Sequence, residues 1–202
     1  MLACAVALAA LDRTKAADPE PALALVPVPG EQWWQVAGNP DLGEFTSDQQ
    51  EPVDFAIWQV ADGSWQLWSC IRHTNHPGRT RVFHRWEGAA LTEPDWTPKG
   101  ITFRGDGTVG ETVGGMQAPH VVHIGGAFYL FHTQQYAPGR QQTSVYRSTD
   151  PTWFGIDDDS NFVTHLEVAA PEIIRHEGRW YLAALNPDLD GIRVTTLDWV
   201  AE

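Results

Sequence analysis

From Trp33 onward, short runs of β-branched and aromatic residues alternate with turns of Gly, Pro, Asp and Asn. No stretch sustains a 3.6-residue apolar period, whereas apolar and polar positions repeatedly alternate, so strands are expected in place of helices. The segment Asp54 to Leu67, DFAIWQVADGSWQL, reads as two strands around a turn at Gly63. Before this region the texture differs. Residues 1–11, MLACAVALAAL, form an apolar run too short to span a bilayer, followed by Lys15-Ala16-Ala17-Asp18. Residues 12–30 are rich in Ala and Pro. The expected organisation is a signal-peptide-like leader and linker over 1–30, then one folded domain over 31–202 in a secreted or periplasmic protein. No other segment is apolar for long enough to be a membrane span.

The chain repeats itself. Ala118-Pro119-His120-Val121-Val122-His123-Ile124-Gly125-Gly126-Ala127-Phe128-Tyr129-Leu130 aligns without gaps to Ala170-Pro171-Glu172-Ile173-Ile174-Arg175-His176-Glu177-Gly178-Arg179-Trp180-Tyr181-Leu182. A looser copy starts at Asp54, with Phe55 opposite Pro119. Each copy is a hairpin with a Gly-containing turn. A third strand follows each one: RTRVFHRWEG, QTSVYRSTDPTWFG and GIRVTTLDWV. The first two units add a loop and a fourth strand, GITFRG and FVTHLEV. Four-stranded units recurring at this interval are propeller blades. The fold class is therefore all-β, a β-propeller with about three blades evident, the alternative being a β-sandwich. The third unit lacks its fourth strand, and Trp33 to Ala37 (WWQVA) is the segment expected to supply it.

The pattern Ala-Pro-x-Val-Val-x-x-x-Gly-x-x-Tyr-Leu, with Ser-x-Asp and an aromatic after it, resembles the five-bladed propeller glycosidases. These are glycoside hydrolase family 43 and its fructan- and sucrose-cleaving relatives. The resemblance covers roughly residues 50–200. It implies a sugar site at one end of a central channel, faced by the innermost strand of each blade. It also implies an acid near the start of the first blade as base or nucleophile, a second Asp on a middle blade, and a general-acid Glu two residues before a Pro. One carboxyl must be protonated to release the leaving oxygen, and another ionised to activate water or attack.

Carried over residue by residue, Asp54 stands where the family has its base, and it also reads as a solvated strand-end Asp. The general-acid position departs from the family. Gln117 precedes Pro119 by two residues, and Ala169 precedes Pro171. Glu172, just after Pro171, is the acid candidate in a shifted register. His120 takes the matching place in the second unit, where an imidazole can bind a sugar hydroxyl, share a proton with a carboxylate, or simply sit neutral on an inner strand. The middle-blade Asp has no counterpart. Five blades at this spacing need roughly 300 residues, so the chain reads as an open ring, as one completed by a second copy in a homodimer, or as part of a longer enzyme.

Charge narrows the partners. Asp and Glu number 26 against 13 Lys and Arg, a net charge of −13. Nucleic acid and anionic membrane surfaces are repelled, and neutral or cationic ligands suit the chain better. The 10 Trp residues serve sheet cores for the most part and can serve as stacking platforms for sugars. Cys4 lies in the leader, leaving Cys70 alone, so neither a disulfide framework nor a cysteine metal site is expected.

Three further features carry both a chemical and a structural reading. Arg72, after the second strand, can bind a sugar hydroxyl or pair with a nearby acid. Asp157, Asp158, Asp159 and Asn161 have the composition of a calcium loop but lack the Gly and terminal Glu of an EF-hand, so they read as a solvated turn. His73, His76 and His84 form a loose cluster that reads as surface residues, with metal binding needing a further convergent ligand. No phosphate loop, dinucleotide fingerprint or nucleophile elbow is present in the sequence.

The expectation is a glycoside hydrolase-like protein acting on arabinose or xylose linkages of plant or algal polysaccharide. Asp54 and Glu172 would be its catalytic residues, and Arg72, Gln117 and His120 its substrate contacts. No cofactor is expected, with calcium at the Asp157 to Asn161 turn as the lesser alternative. The alternatives are a carbohydrate-binding propeller without hydrolysis, or an incomplete fragment of a longer glycosidase.

Overall fold

The computed structural model describes residues 31–137, 139–152, 161–186 and 190–199. The leader over 1–30 and the triplet Asp157-Asp158-Asp159 lie outside the described residues. The chain divides into two compact units, Met1–Trp33 and Trp34–Glu202. Of the first unit only Glu31, Gln32 and Trp33 are described, all exposed and without a regular element.

Among the described residues the second unit is built from three antiparallel sheets, each a meander in sequence order. The first holds β1 (Glu51–Gln59), β2 (Trp65–Arg72), β3 (Val82–Gly88) and β4 (Thr97–Phe103). The second holds β5 (Met116–Ile124), β6 (Ala127–Ala137), β7 (Arg140–Ser148) and β8 (Phe162–Leu166). The third holds β9 (Ala169–His176), β10 (Arg179–Leu185) and β11 (Ile192–Thr196). The three predicted units are thus three blades. Among the described residues no helix is long and apolar enough to cross a membrane.

Packing between sheets follows from strand alternation, because neighbouring side chains point to opposite faces. Trp58, Trp68, Cys70, Phe83 and Phe103 of the first sheet meet Met116, Phe128, Leu130 and Tyr146 of the second. The next residue along β6, Phe131, points the other way and joins Val145 against Ile173, Leu182 and Ala184 of the third sheet. The middle sheet is therefore apolar on both faces. Cys70 is fully buried, its thiol donates to the Met116 carbonyl at 3.5 Å, and burial pushes its pKa up to about 12.

The segment WWQVA does not supply the missing strand of the third sheet. The Gln35 and Val36 carbonyls accept the N–H groups of Asp95 and Trp96 at 2.9 and 2.8 Å. The attachment is to the approach to β4, at the other end of the blade series. The cause is an apolar face there that no blade covers: Leu67, Ile71, Val82, Trp86 and Trp96, against which Val36, Ala37, Leu42 and Phe45 lie. Within the third sheet, β11 has no outer strand partner among the described residues, and its Ile192 and Val194 are 77% and 64% exposed.

The histidines depart from a surface cluster. His73 is exposed near Glu51, His76 is buried edge-on to Phe45, and His84 is buried against Trp86. Among the described residues no three His, Cys, Asp or Glu side chains gather to hold a metal ion. His132 is wholly buried among Phe83, Phe103 and Tyr146. Burial lowers the pKa of His84 and of His132 to about 4, and His84 Nδ1 and His132 Nε2 have no hydrogen-bond partner among the described residues.

Two stability predictions follow from these contacts. Gly88 faces Trp96 so closely that a Cβ would lie 2.4 Å from the indole, so Gly88→Ala should cost about 1–3 kcal/mol in urea denaturation. The two buried histidines are neutral in the folded state but titrate near 6.5 when unfolded, so the unfolded chain binds more protons between pH 6.5 and 4. Stability should be full above pH 6.5 and fall as the pH drops toward 4, by roughly 3 kcal/mol for each ring. Denaturation midpoints at pH 7 and 4.5 should differ less in His132→Phe than in the wild type.

Candidate functional site

The inner strands β1, β5 and β9 share one irregularity. In each, the pairing to the next strand slips by one residue, between Pro52 and Phe55, between Gln117 and His120, and, read from the partner strand, between Ala183 and Leu185. Such bulges bend a strand and re-aim its side chains. In the two Ala-Pro copies the bulge places Ala118 at φ 49° and Ala170 at φ 48°, a left-handed conformation that costs a non-glycine residue of order 1 kcal/mol.

The bulges in β5 and β9 also turn a backbone N–H out of the ladder, and the neighbouring blade supplies its acceptor. Ala118 N–H donates to Asp54 Oδ2 at 3.1 Å, and Ala170 N–H donates to the buried Thr133 Oγ1 at 2.7 Å. One site thus accounts for two features of the sequence, the repeated Ala-Pro and the acid opening the first hairpin.

The three bulges surround a cavity of about 400 Å³. Its lining is three consecutive triplets: Val53, Asp54 and Phe55; Ala118, Pro119 and His120; Ala170, Pro171 and Glu172. Asp54, His120 and Glu172, chosen from sequence as site residues, are brought together here. His120 Nδ1 stands 3.4 Å from Glu172 Oε2, with the His120 side chain 25% exposed and that of Glu172 69% exposed. Burial lowers the His120 pKa, opposed by the negative charge of Glu172 and a hydrogen bond to the Ile173 backbone. The ring is therefore neutral near pH 7.

The other two candidates stand elsewhere. Arg72 pairs with Glu51, its β-ladder neighbour, which accepts from Nε at 2.7 Å and lies 2.7 Å from the second guanidinium nitrogen. The abundance of acids in the sequence is what engages it. Gln117, the second residue of β5, stands opposite Thr133, half-buried and outside the cavity lining. Among the lining residues not singled out from sequence as site residues, Phe55 is the large aromatic one. Phe55 is 63% exposed at the cavity, a large aromatic face with little protein over it. Its position beside Asp54 was visible, but strand periodicity alone assigns it to a core as readily as to a site.

No family model matches the sequence, and no curated protein matches it at a significant level. Solved structures do match. A thermostable family-43 glycoside hydrolase superposes with a TM-score of 0.53 at 17% identity, over 76% of this chain and 50% of that one. An exo-1,5-alpha-L-arabinanase from a bovine ruminal metagenomic library gives 0.53 at 14% identity, over 73% and 54%. The GH43_1 enzyme from Xanthomonas citri, complexed with xylose, gives 0.51 at 17%, over 68% and 40%. The fold is that of the family 43 glycosidase propellers. This chain spans between 40% and 54% of the length of these three structures, which accords with three blades where a five-bladed ring has more.

The bulge contacts are testable without a substrate. Thr133→Val keeps the side-chain shape and removes the acceptor for Ala170 N–H. It should lower stability by about 1–3 kcal/mol in chemical denaturation, and Thr133→Ser should recover most of that loss.

Proposed function

We propose that the cavity between the three bulges is a saccharide site, and that the protein is a glycoside hydrolase acting on arabinose or xylose linkages of plant or algal polysaccharide. The observation that carries this reading is the gathering of Asp54, His120 and Glu172 in one cavity of about 400 Å³, a volume suited to a small ligand. In this reading Asp54 is the base or nucleophile. The Ala118 N–H on Oδ2 holds its carboxyl in one orientation and leaves the other oxygen for water or the anomeric carbon. Glu172 is the acid that protonates the leaving oxygen, and His120 holds it from one side. Phe55 offers an apolar platform for a sugar face. The xylose held by the Xanthomonas citri enzyme and the arabinanase named among the similar structures support a pentose. An apolar leader and a polymeric plant substrate both suit an exported protein.

A second reading is binding without cleavage. It is favoured by Gln117, which stands where the family places its general-acid Glu and has no proton to give as a carboxylic acid.

Hydrolysis of aryl α-L-arabinofuranoside and aryl β-D-xyloside, with calorimetric titration of xylotriose alongside, separates the two. A hydrolase should lose roughly 10³-fold in kcat in Asp54→Asn and roughly 10²-fold or more in Glu172→Gln, with xylotriose still bound by both. Saturable xylotriose binding without turnover by the wild type would establish the binding reading. Neither binding nor turnover would overturn both.

A further inference from the structure

The three blades share one ladder plan, and the second departs from it. In the first and third blades the strands end level on the cavity side. Glu51, first in β1, pairs with Arg72, last in β2. Ala169, first in β9, pairs with Leu185, last in β10, which pairs in turn with Ile192, first in β11. In the second blade β5 pairs no further than Met116 with Gln134, and β8 no further than Leu166 with Thr143. There β6 and β7 carry on together, through Gln135 opposite Gln141 to Ala137 opposite Arg140. The hairpin overshoots at the end that bears the cavity: Thr133, three residues before Tyr136, holds the Ala170 N–H of the lining at 2.7 Å.

The overshoot is anchored and its tyrosine is not covered. Gln135 donates its N–H to the Gly115 carbonyl at 3.3 Å and accepts from the Thr112 N–H at 3.2 Å. The ladder slips between Gln135 and Ala137, so Tyr136 stands outside the pairing, 37% exposed. Such a slip re-aims a side chain. Tyr136 lies about 10 Å along the strand from Thr133. On the facing strand Arg140 and Gln141 bracket its level. An apolar ring with a phenol, beside guanidinium and amide donors, suits a sugar ring, which offers a C–H face to stack and hydroxyls to bond.

Resting on the saccharide reading above, we propose that Tyr136 forms an outer subsite for a sugar unit beyond the cavity, so that the protein prefers oligosaccharides to ligands the cavity alone can hold. The other two blades carry no overshooting hairpin among the described residues, so the sugar chain leaves the cavity over the second blade.

The test is calorimetric titration of sulfur-linked xylobiose and xylotetraose, whose bridges resist hydrolysis, into the wild type, Tyr136→Ala and Tyr136→Phe, with folds checked by circular dichroism. The wild type should bind the tetraose ~10-fold or more tightly than the biose. Tyr136→Ala should lose ~10-fold for the tetraose and leave the biose unchanged, the size of one aromatic contact. Tyr136→Phe, which keeps the ring, should retain most of the tetraose affinity. Equal loss for both ligands in Tyr136→Ala would show a structural role and overturn the subsite. So would unchanged tetraose binding in that variant, or equal affinities in the wild type, each leaving the cavity itself as a sugar site. Failure of the wild type to bind either ligand would overturn the saccharide reading, and the subsite with it.

Discussion

Everything in the folded unit depends on stacking one sheet against the next through large aromatic side chains. Trp68, Phe83, Phe103, Phe131 and Tyr146 are all at most 2% exposed and sit on facing sheets. At roughly 25 cal/mol per Å² of apolar surface, such residues dominate the burial that offsets chain entropy. Because β6 presents Leu130 to one neighbour and Phe131 to the other, the middle blade cannot be removed or turned over without exposing both interfaces. That two-sided packing brings β1, β5 and β9 side by side, and so creates the cavity.

The bulges open this stack into a cavity. A regular inner strand would keep its N–H groups within its own ladder and its side chains directed at neighbouring sheets. Slipping by one residue frees the Ala118 and Ala170 amides, and each is satisfied from the preceding blade. An unsatisfied amide in this position would cost about 1–3 kcal/mol, so adjacent blades are coupled at the point where chemistry is expected. Asp54 has two consequences from one residue: its carboxyl closes the joint between the first and second blades, and it lines the cavity. Left-handed backbone at two alanines beside a cavity is the kind of local strain that concentrates at functional sites.

The two outer faces of the blade series are treated differently. On the first blade, Val36, Ala37, Leu42 and Phe45 cover an apolar surface that includes Trp86 and Trp96. On the third, Ile174, Ile192 and Val194 stay substantially exposed beside the β11 edge, which is unpaired among the described residues. This asymmetry explains why the segment after Trp33 does not complete the third sheet. Its carbonyls and apolar side chains find partners beside β4, where a buried face is to be gained.

Much of the architecture was legible from residue order. Alternation marked the strands, Gly-containing turns marked the hairpins, and the repeated Ala-Pro marked equivalent positions on two inner strands. These are local signals, set by backbone sterics and by which side of a pleat a residue faces. The acids Asp54 and Glu172 could be singled out for the same reason, as residues next to recognisable strand starts. What the tertiary structure decided was which groups meet. The Asp54 contact to Ala118 N–H, the His120–Glu172 pair, the exposure of Phe55, the capture of Arg72 by Glu51 and the burial of His132 all depend on sheet stacking or ladder register. These relations join residues distant in sequence, and no local pattern encodes them, because a one-residue slip in a strand sends the same side chain to the opposite face.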